Sequence, residues 1–267
     1  MSELSLKIVD AGENIVAENT EQDDVMLVYQ AEYKPGDKIV LTSTDKDIYL
    51  CVQVDDALGS AFVYITKNEV VYNIPFDEKK VSYSPKTFYG KMHFLSARLA
   101  TKEEIKSYKN VALNVMDQHG DTGCYPHVTA NVETRGESVF AARNAIDGVK
   151  ETHSHGGWPY ESWGINMQDD AEIRLDFGRS VEIDKIILYT RADFPHDNWW
   201  REVTVTFSDG SQSVWELEKS DKAHILFVVK KKIDWLQLSN LIKADDPSLF
   251  PALSQIEVYG VEVEASN

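Results

Sequence analysis

A chain of 267 residues, 43% hydrophobic and 10% aromatic, is long enough for one large or two ordinary domains and reads as globular rather than disordered. Its formal net charge of −17 argues against a nucleic-acid backbone or an anionic membrane surface as the main partner, because like charges repel over a Debye length. No apolar run reaches membrane-spanning length, and the start, Met1-Ser2-Glu3-Leu4-Ser5-Leu6-Lys7, lacks the charged-then-apolar layout of a signal peptide, so the chain is expected to be cytoplasmic or a trimmed form of an exported protein, with no membrane insertion.

The first hundred residues are predicted to form short strands over 4–9, 25–33, 38–42, 47–54, 61–66, 69–74 and 91–99. Turn signals such as Pro35-Gly36, Lys67-Asn68 and Ser84-Pro85 separate them at near-regular spacing, which predicts an antiparallel β-sandwich over 1–100. In the strand 48–54, Ile48, Leu50, Val52 and Val54 share one face and should point inward, with Tyr49, Cys51 and Gln53 on the other. Thr101-Lys102-Glu103-Glu104 has the spacing of a capping box and opens a short helix through about Tyr108, marking a linker over 101–110. Lacking the Gly/Ser or Pro content of a flexible tether, this linker implies a fixed arrangement of its neighbours.

Strand patterning resumes over 171–177, 181–190, 202–207, 212–217, 223–229, 235–241 and 255–261, with Ser208-Asp209-Gly210-Ser211 as a hairpin turn. The fold class is therefore all-β, with a second sandwich over 111–262 and a tail over 263–267. Cys51 and Cys124 fall in different predicted domains, so two reduced thiols are expected rather than a disulfide.

Five motifs occur in order: Asn144-Ala145-Ile146-Asp147-Gly148 followed by Thr152, Ile173-Arg174-Leu175-Asp176-Phe177-Gly178, Val181-Glu182-Ile183-Asp184-Lys185-Ile186, Val205-Thr206-Phe207-Ser208-Asp209-Gly210, and Ile256-Glu257-Val258-Tyr259-Gly260. In these, residues 110–262 resemble the discoidin-like (F5/8 type C, galactose-binding-like) family, whose bacterial members include many carbohydrate-binding modules. The resemblance implies an eight-stranded jelly roll with its ligand site on loops at one end. It also implies a structural calcium ion near the Asp-Gly turn, held by Asn144, Asp147, Thr152 and Gln255, where Gln255 stands in place of the family's late glutamate and brings no charge. Residues 1–100 resemble no family.

Between His153 and Trp200 lie four of the six tryptophans and three of the seven histidines. Aromatic rings for stacking on the C–H face of a sugar, interleaved with hydrogen-bonding groups for its hydroxyls, make this segment the candidate saccharide site. Trp158 and Trp163 sit in glycine-rich sequence without strand alternation and are expected to contact ligand, although one of them can instead plug the end of the sandwich. Trp215 and Trp235, on predicted strands, are expected in the core. Arg191 and Asp193 emerge at the end of the strand 181–190, followed on the same loop by His196, Asp197 and Trp199. An arginine fork and aspartates suit vicinal hydroxyls; they also suit an ion pair of Arg191 with Asp193 or Asp197 that stiffens the loop. Trp199 and Trp200 should point opposite ways, with Trp199 outward. Upstream, Tyr125-Pro126-His127 and Glu133-Thr134-Arg135-Gly136-Glu137 can furnish a further wall, although ordinary surface loop is the favoured reading of both.

The expected function is non-catalytic binding of a glycan or small saccharide. The alternatives are a glycoside-acting enzyme using Asp193 with Asp197 or Glu161 as acid and base, or a protein-binding adhesion module. A zinc site from His153, His155, His196 and an aspartate lacks a tight ligand motif. The oligomeric state is not legible.

Overall fold

The computed structural model describes residues 1–192 and 197–263. Its first half holds β1 (Glu3–Val9), β2 (Ile15–Gln22), β3 (Asp24–Tyr29), β4 (Lys38–Ser43), β5 (Ile48–Gln53), β6 (Ala61–Ile65), β7 (Glu69–Asn73) and β8 (His93–Leu99). They make two antiparallel sheets, ordered β2-β1-β4-β7 and β6-β5-β8-β3. Leu4, Leu6 and Ile8 of one sheet meet Leu50, Val52, Val63 and Leu95 of the other, a sandwich core built by strict alternation. The expected inward face of 48–54 is correct for Leu50, Val52 and Val54, which are buried. The strand β2 is not legible from periodicity: nearly all of it is exposed, and it forms by adding to the open edge of β1 from Glu3↔Gln22 to Val9↔Ile15.

The capping box opens α1 (Lys102–Lys106): Thr101 Oγ1 accepts from Glu104 N at 3.2 Å, and Glu104 returns a carboxylate oxygen to Thr101 N at 2.8 Å. The helix stops at Lys106, two residues short of expectation. Arg98 holds the same carboxylate at 2.6 and 2.8 Å, so the guanidinium contact and the cap together pull the Glu104 pKa down to about 2.

The second half comprises β9 (Lys109–Asn110), β10 (Cys124–Tyr125), β11 (His127–Ala130), β12 (Trp163–Gly164), β13 (Ile173–Thr190), β14 (Trp200–Phe207), β15 (Gln212–Glu216), β16 (His224–Lys243) and β17 (Ala252–Glu262). Two pairs of predicted strands are each one long strand. The first part of β13 pairs with β11 and with 235–238 of β16; from Val181 onward it pairs with β17 and with 224–233 of β16. Each long strand thus passes from one sheet of the sandwich to the other through a register shift, the arrangement of a jelly roll. Gly178 sits at that shift with φ of +67°, and a Cβ there would lie 2.4 Å from the Tyr125 ring. Trp163, Phe177, Trp200, Phe207 and Leu236 fill the interior.

The chain crosses back once. β10 pairs with β6, Cys124↔Ile65, and Cys124 and Met116 pack into the first core. The expectation that the two cysteines lie in separate bodies is therefore corrected: both belong to one sheet, on β5 and β10, and both are free thiols. Further contacts clamp the halves together. Glu262, buried, receives Arg179 at 2.7 and 2.9 Å and the Tyr49 hydroxyl at 3.2 Å; Lys109 lies 4.3 Å from the Phe62 ring centre, and the Arg143 guanidinium 4.3 Å from that of Tyr83.

Candidate functional site

A cavity of about 190 Å3 opens on the second sandwich where β13 ends and β17 begins. One wall is Thr134, Arg135 and Phe140; a second is Gly164 to Met167, continuing from β12; the third is Phe250 to Ala252, leading into β17. Arg191 and Asp197 lie at its base, and His155 completes the lining. Asn166 N donates to Thr134 Oγ1 at 2.9 Å, and Gly164 lets that loop approach, since a Cβ there would lie 2.6 Å from the Thr134 hydroxyl.

Arg191 leaves the end of β13 as the sequence implies, but it does not reach solvent. Arg191 and Asp197 are each only 2% exposed, and Nε and Nη2 of Arg191 grip both Asp197 oxygens at 2.7–3.0 Å. Nη1 adds Ser162 Oγ at 3.3 Å. A bidentate, desolvated pair of this kind fixes the loop base rather than offering an open fork. The expected loop-stiffening ion pair is present, between Arg191 and Asp197.

Three lining residues, Arg135, Asn166 and Met167, have left-handed backbones with φ of 54°, 50° and 57°. For side chains other than asparagine this conformation is costly and persists only where the surroundings impose it, a feature that concentrates at binding surfaces. Arg135 is held toward the cavity by Glu137, at 2.6 and 2.8 Å, and lies 5.6 Å from the centre of the Phe140 ring. Phe250 is half exposed, and Leu249 and Met167 flank it as exposed apolar side chains.

The other expected site residues are dispersed. Trp163 is fully buried, its Nε1 donating to Val132 O at 2.9 Å and its ring 6.3 Å from that of Trp200; β12 pairs with β17 and carries it into the core, so it plugs the sandwich and does not face ligand. Trp158 is 42% exposed, but its backbone N donates to Val81 O of the first half at 2.9 Å, and it is not part of the cavity lining. Trp200 packs inward and Trp199 is half-buried, also away from the cavity lining. Asp193 and His196 lie outside the described residues. Trp215 is in the core as expected, whereas Trp235 lies on the outer face with the Arg174 guanidinium 3.9 Å from its ring centre. Thr134 and Arg135 do form a wall, while His127 and Glu133 line a separate hollow. Phe250 went unnoticed in the sequence; the signal is an aromatic in Leu249-Phe250-Pro251 after the turn Asp245-Asp246-Pro247.

Near the Asp-Gly turn, Asn144 and Gln255 are committed to the fold. Asn144 Nδ2 donates to Ser138 O and Ser162 O, its Oδ1 accepts from Arg143, and Gln255 Oε1 accepts from Gly148 N at 3.0 Å. Asp147 Oδ1 caps its own turn through Val149 N at 2.9 Å. Beside it stands Glu161, 1% exposed, neither of whose oxygens meets a donor among the described residues. Burial and mutual repulsion push Glu161 up to about 8, and burial pushes Asp147 up to about 6. Among the described residues no group of three or more histidine, cysteine, aspartate or glutamate side chains is arranged around a metal.

No protein-family model matches the chain, and no curated protein matches it. Solved structures similar to it include chitosan-binding module 1 of a chitosanase/glucanase from Paenibacillus sp. IK-5, at 18% identity over 57% of this chain and 98% of that one with a TM-score of 0.40. A family 32 carbohydrate-binding module of C. perfringens NanJ, solved with galactose, is 14% identical over 49% and 91% with a TM-score of 0.38. A fucose-binding module of Streptococcus pneumoniae is 16% identical over 57% and 98%, TM-score 0.38.

Proposed function

We propose that the second sandwich binds a saccharide, without catalysis, in the cavity between Phe140, Asn166 and Phe250. The observation that carries this is the cavity's make-up: a rigid base from the Arg191–Asp197 pair, left-handed residues holding Arg135 and Asn166 at the rim, and a half-exposed Phe250 ring. A pocket of this size takes one ring of a glycan rather than a long segment, the apolar wall receiving its C–H face and the rim its hydroxyls. Of the carboxylates considered for a hydrolase pair, Asp193 lies outside the described residues. Asp197 is engaged by Arg191 at both oxygens, and Glu161 is buried away from the cavity lining.

A glycan array followed by calorimetry on the full chain tests this. Phe250→Ala and Arg135→Ala, both at exposed positions, are expected to weaken binding by about tenfold each, the scale of one lost stacking or charged hydrogen-bond contact, with little change in melting temperature. Absence of binding to every saccharide presented, or binding untouched by both substitutions, would sink the proposal.

The resemblance to discoidin-like modules implies a structural calcium ion, and the residues fit it in part. Asp147 and Glu161 form a buried carboxylate pair in which both Glu161 oxygens lack a donor among the described residues, the charge a divalent cation neutralises; Thr152 is buried nearby in sequence. Asn144 Oδ1 is taken by the Arg143 guanidinium and Gln255 Oε1 by Gly148 N, so in this reading Glu161 takes the place assigned to Gln255.

A further inference from the structure

Residues 224–230 of β16 read His-Ile-Leu-Phe-Val-Val-Lys. On one side they pair with β13, from Leu188↔His224 to Lys185↔Phe227. On the other side β14 reaches only from Phe207↔Leu236 to Trp200↔Lys243, so among the described residues 224–232 has no strand along its second edge. Backbone donors and acceptors therefore stand open along an apolar run that contains neither glycine nor proline. Leu226 and Val228 turn toward the core, while Ile225, Phe227 and Val229 project outward, 49%, 76% and 86% exposed.

We propose that this edge pairs antiparallel with the same edge of a second copy of the chain, about a two-fold axis passing through Phe227. A two-fold perpendicular to the sheet keeps each residue on its own face, so Phe227 meets Phe227, Ile225 meets Val229 and Leu226 meets Val228; every apolar side chain finds an apolar one. All seven positions from 224 to 230 are already extended, so pairing needs no refolding.

Charge selects this occupant. At −17 the protein repels another copy over most of its surface, yet residues 223–233 carry no carboxylate. Of the adjoining lysines, Lys230 is paired with Glu182 at 2.6 Å and Lys231 with Asp209 at 3.4 Å, and Lys232 lies beyond the apolar run, so the segment from Ile225 to Val229 itself carries no charge that would draw a foreign acidic strand. In the paired register Lys230 faces His224, outside the apolar centre.

Sedimentation equilibrium of the full chain, loaded up to roughly 100 µM because edge pairing alone makes a modest interface, tests this. Wild type is expected to show a monomer–dimer equilibrium. Phe227→Glu, which sets two carboxylates face to face at the axis, is expected to shift it toward monomer by about tenfold or more, and Val229→Lys to weaken it in the same direction. Val229→Lys sits at the most exposed of the three positions and keeps the test valid if Phe227→Glu impairs folding. A wild type that stays monomeric across the range, or a dimer whose strength neither substitution changes, overturns the proposal.

Discussion

Replacing Asp197 by alanine is expected to lower the melting temperature of the second sandwich by roughly 6–20 °C. Both members of the Arg191–Asp197 pair are 2% exposed, so the substitution strands a guanidinium away from water with Ser162 Oγ, at 3.3 Å, as its remaining side-chain acceptor among the described residues. Removing one partner of such a pair costs about 3–5 kcal/mol, and each kcal/mol is worth about 2–4 °C in a domain of this size. Replacing both residues together, Arg191→Met with Asp197→Leu, should cost far less, because no charge is left unpaired. Thermal denaturation of the two variants checks this: equal, small losses would show that the pair is solvated. Taken as exposed ligand contacts, Arg191 and Asp197 should be neutral for stability; their burial reverses that expectation, and any loss of saccharide binding in Asp197→Ala has to be read against its folded fraction.

The sequence exposes the strands more readily than the loops because alternation reports which side of a sheet is dry. Leu50, Val52 and Val54 are placed correctly on that ground alone. Alternation is silent about β2, an exposed edge whose only cause is the open side of β1, and about the passage of β13 between sheets, which rests on one glycine at positive φ. It also cannot foresee that β10 leaves the second body to pair with β6. At the site, the end of the strand at Thr190 correctly delivers Arg191 to the cavity, but nothing in a loop's composition reports burial. Trp163, in glycine-rich sequence, has the look of a displayed ring and is instead the plug of the core; Phe250, in a less conspicuous loop, is the displayed one. The Asp-Gly motif marks a turn whose Asp147 is buried, and the neighbouring carboxylate, Glu161, is fourteen positions downstream and becomes visible only when the fold brings the two together.

That carboxylate pair sets up the second large effect. A buried acid whose folded pKa is raised binds its proton more tightly in the native state, so the stability it supports is complete below the ordinary carboxylate range and is lost as pH climbs through the raised value. With Asp147 pushed up to about 6 and Glu161 to about 8, the second sandwich in chelator is expected to lose stability as pH rises from about 4 to about 8. His119, hydrogen-bonded to Glu133, and His127, whose burial is outweighed by its bond to Asp117, are also raised and tilt the curve the same way. The decisive readout is therefore the difference between wild type and Glu161→Gln. Without calcium the variant should be the more stable protein at pH 8.5, and the difference should vanish by about pH 4. Calcium, bound by the folded state alone, should restore the wild type at pH 8.5 by about 2.7 kcal/mol once its concentration reaches a hundred times its dissociation constant, and should leave Glu161→Gln nearly unmoved. Identical wild-type melting curves in calcium and in chelator would remove the metal. Parallel pH profiles for wild type and Glu161→Gln would show that Glu161 is not the group that titrates.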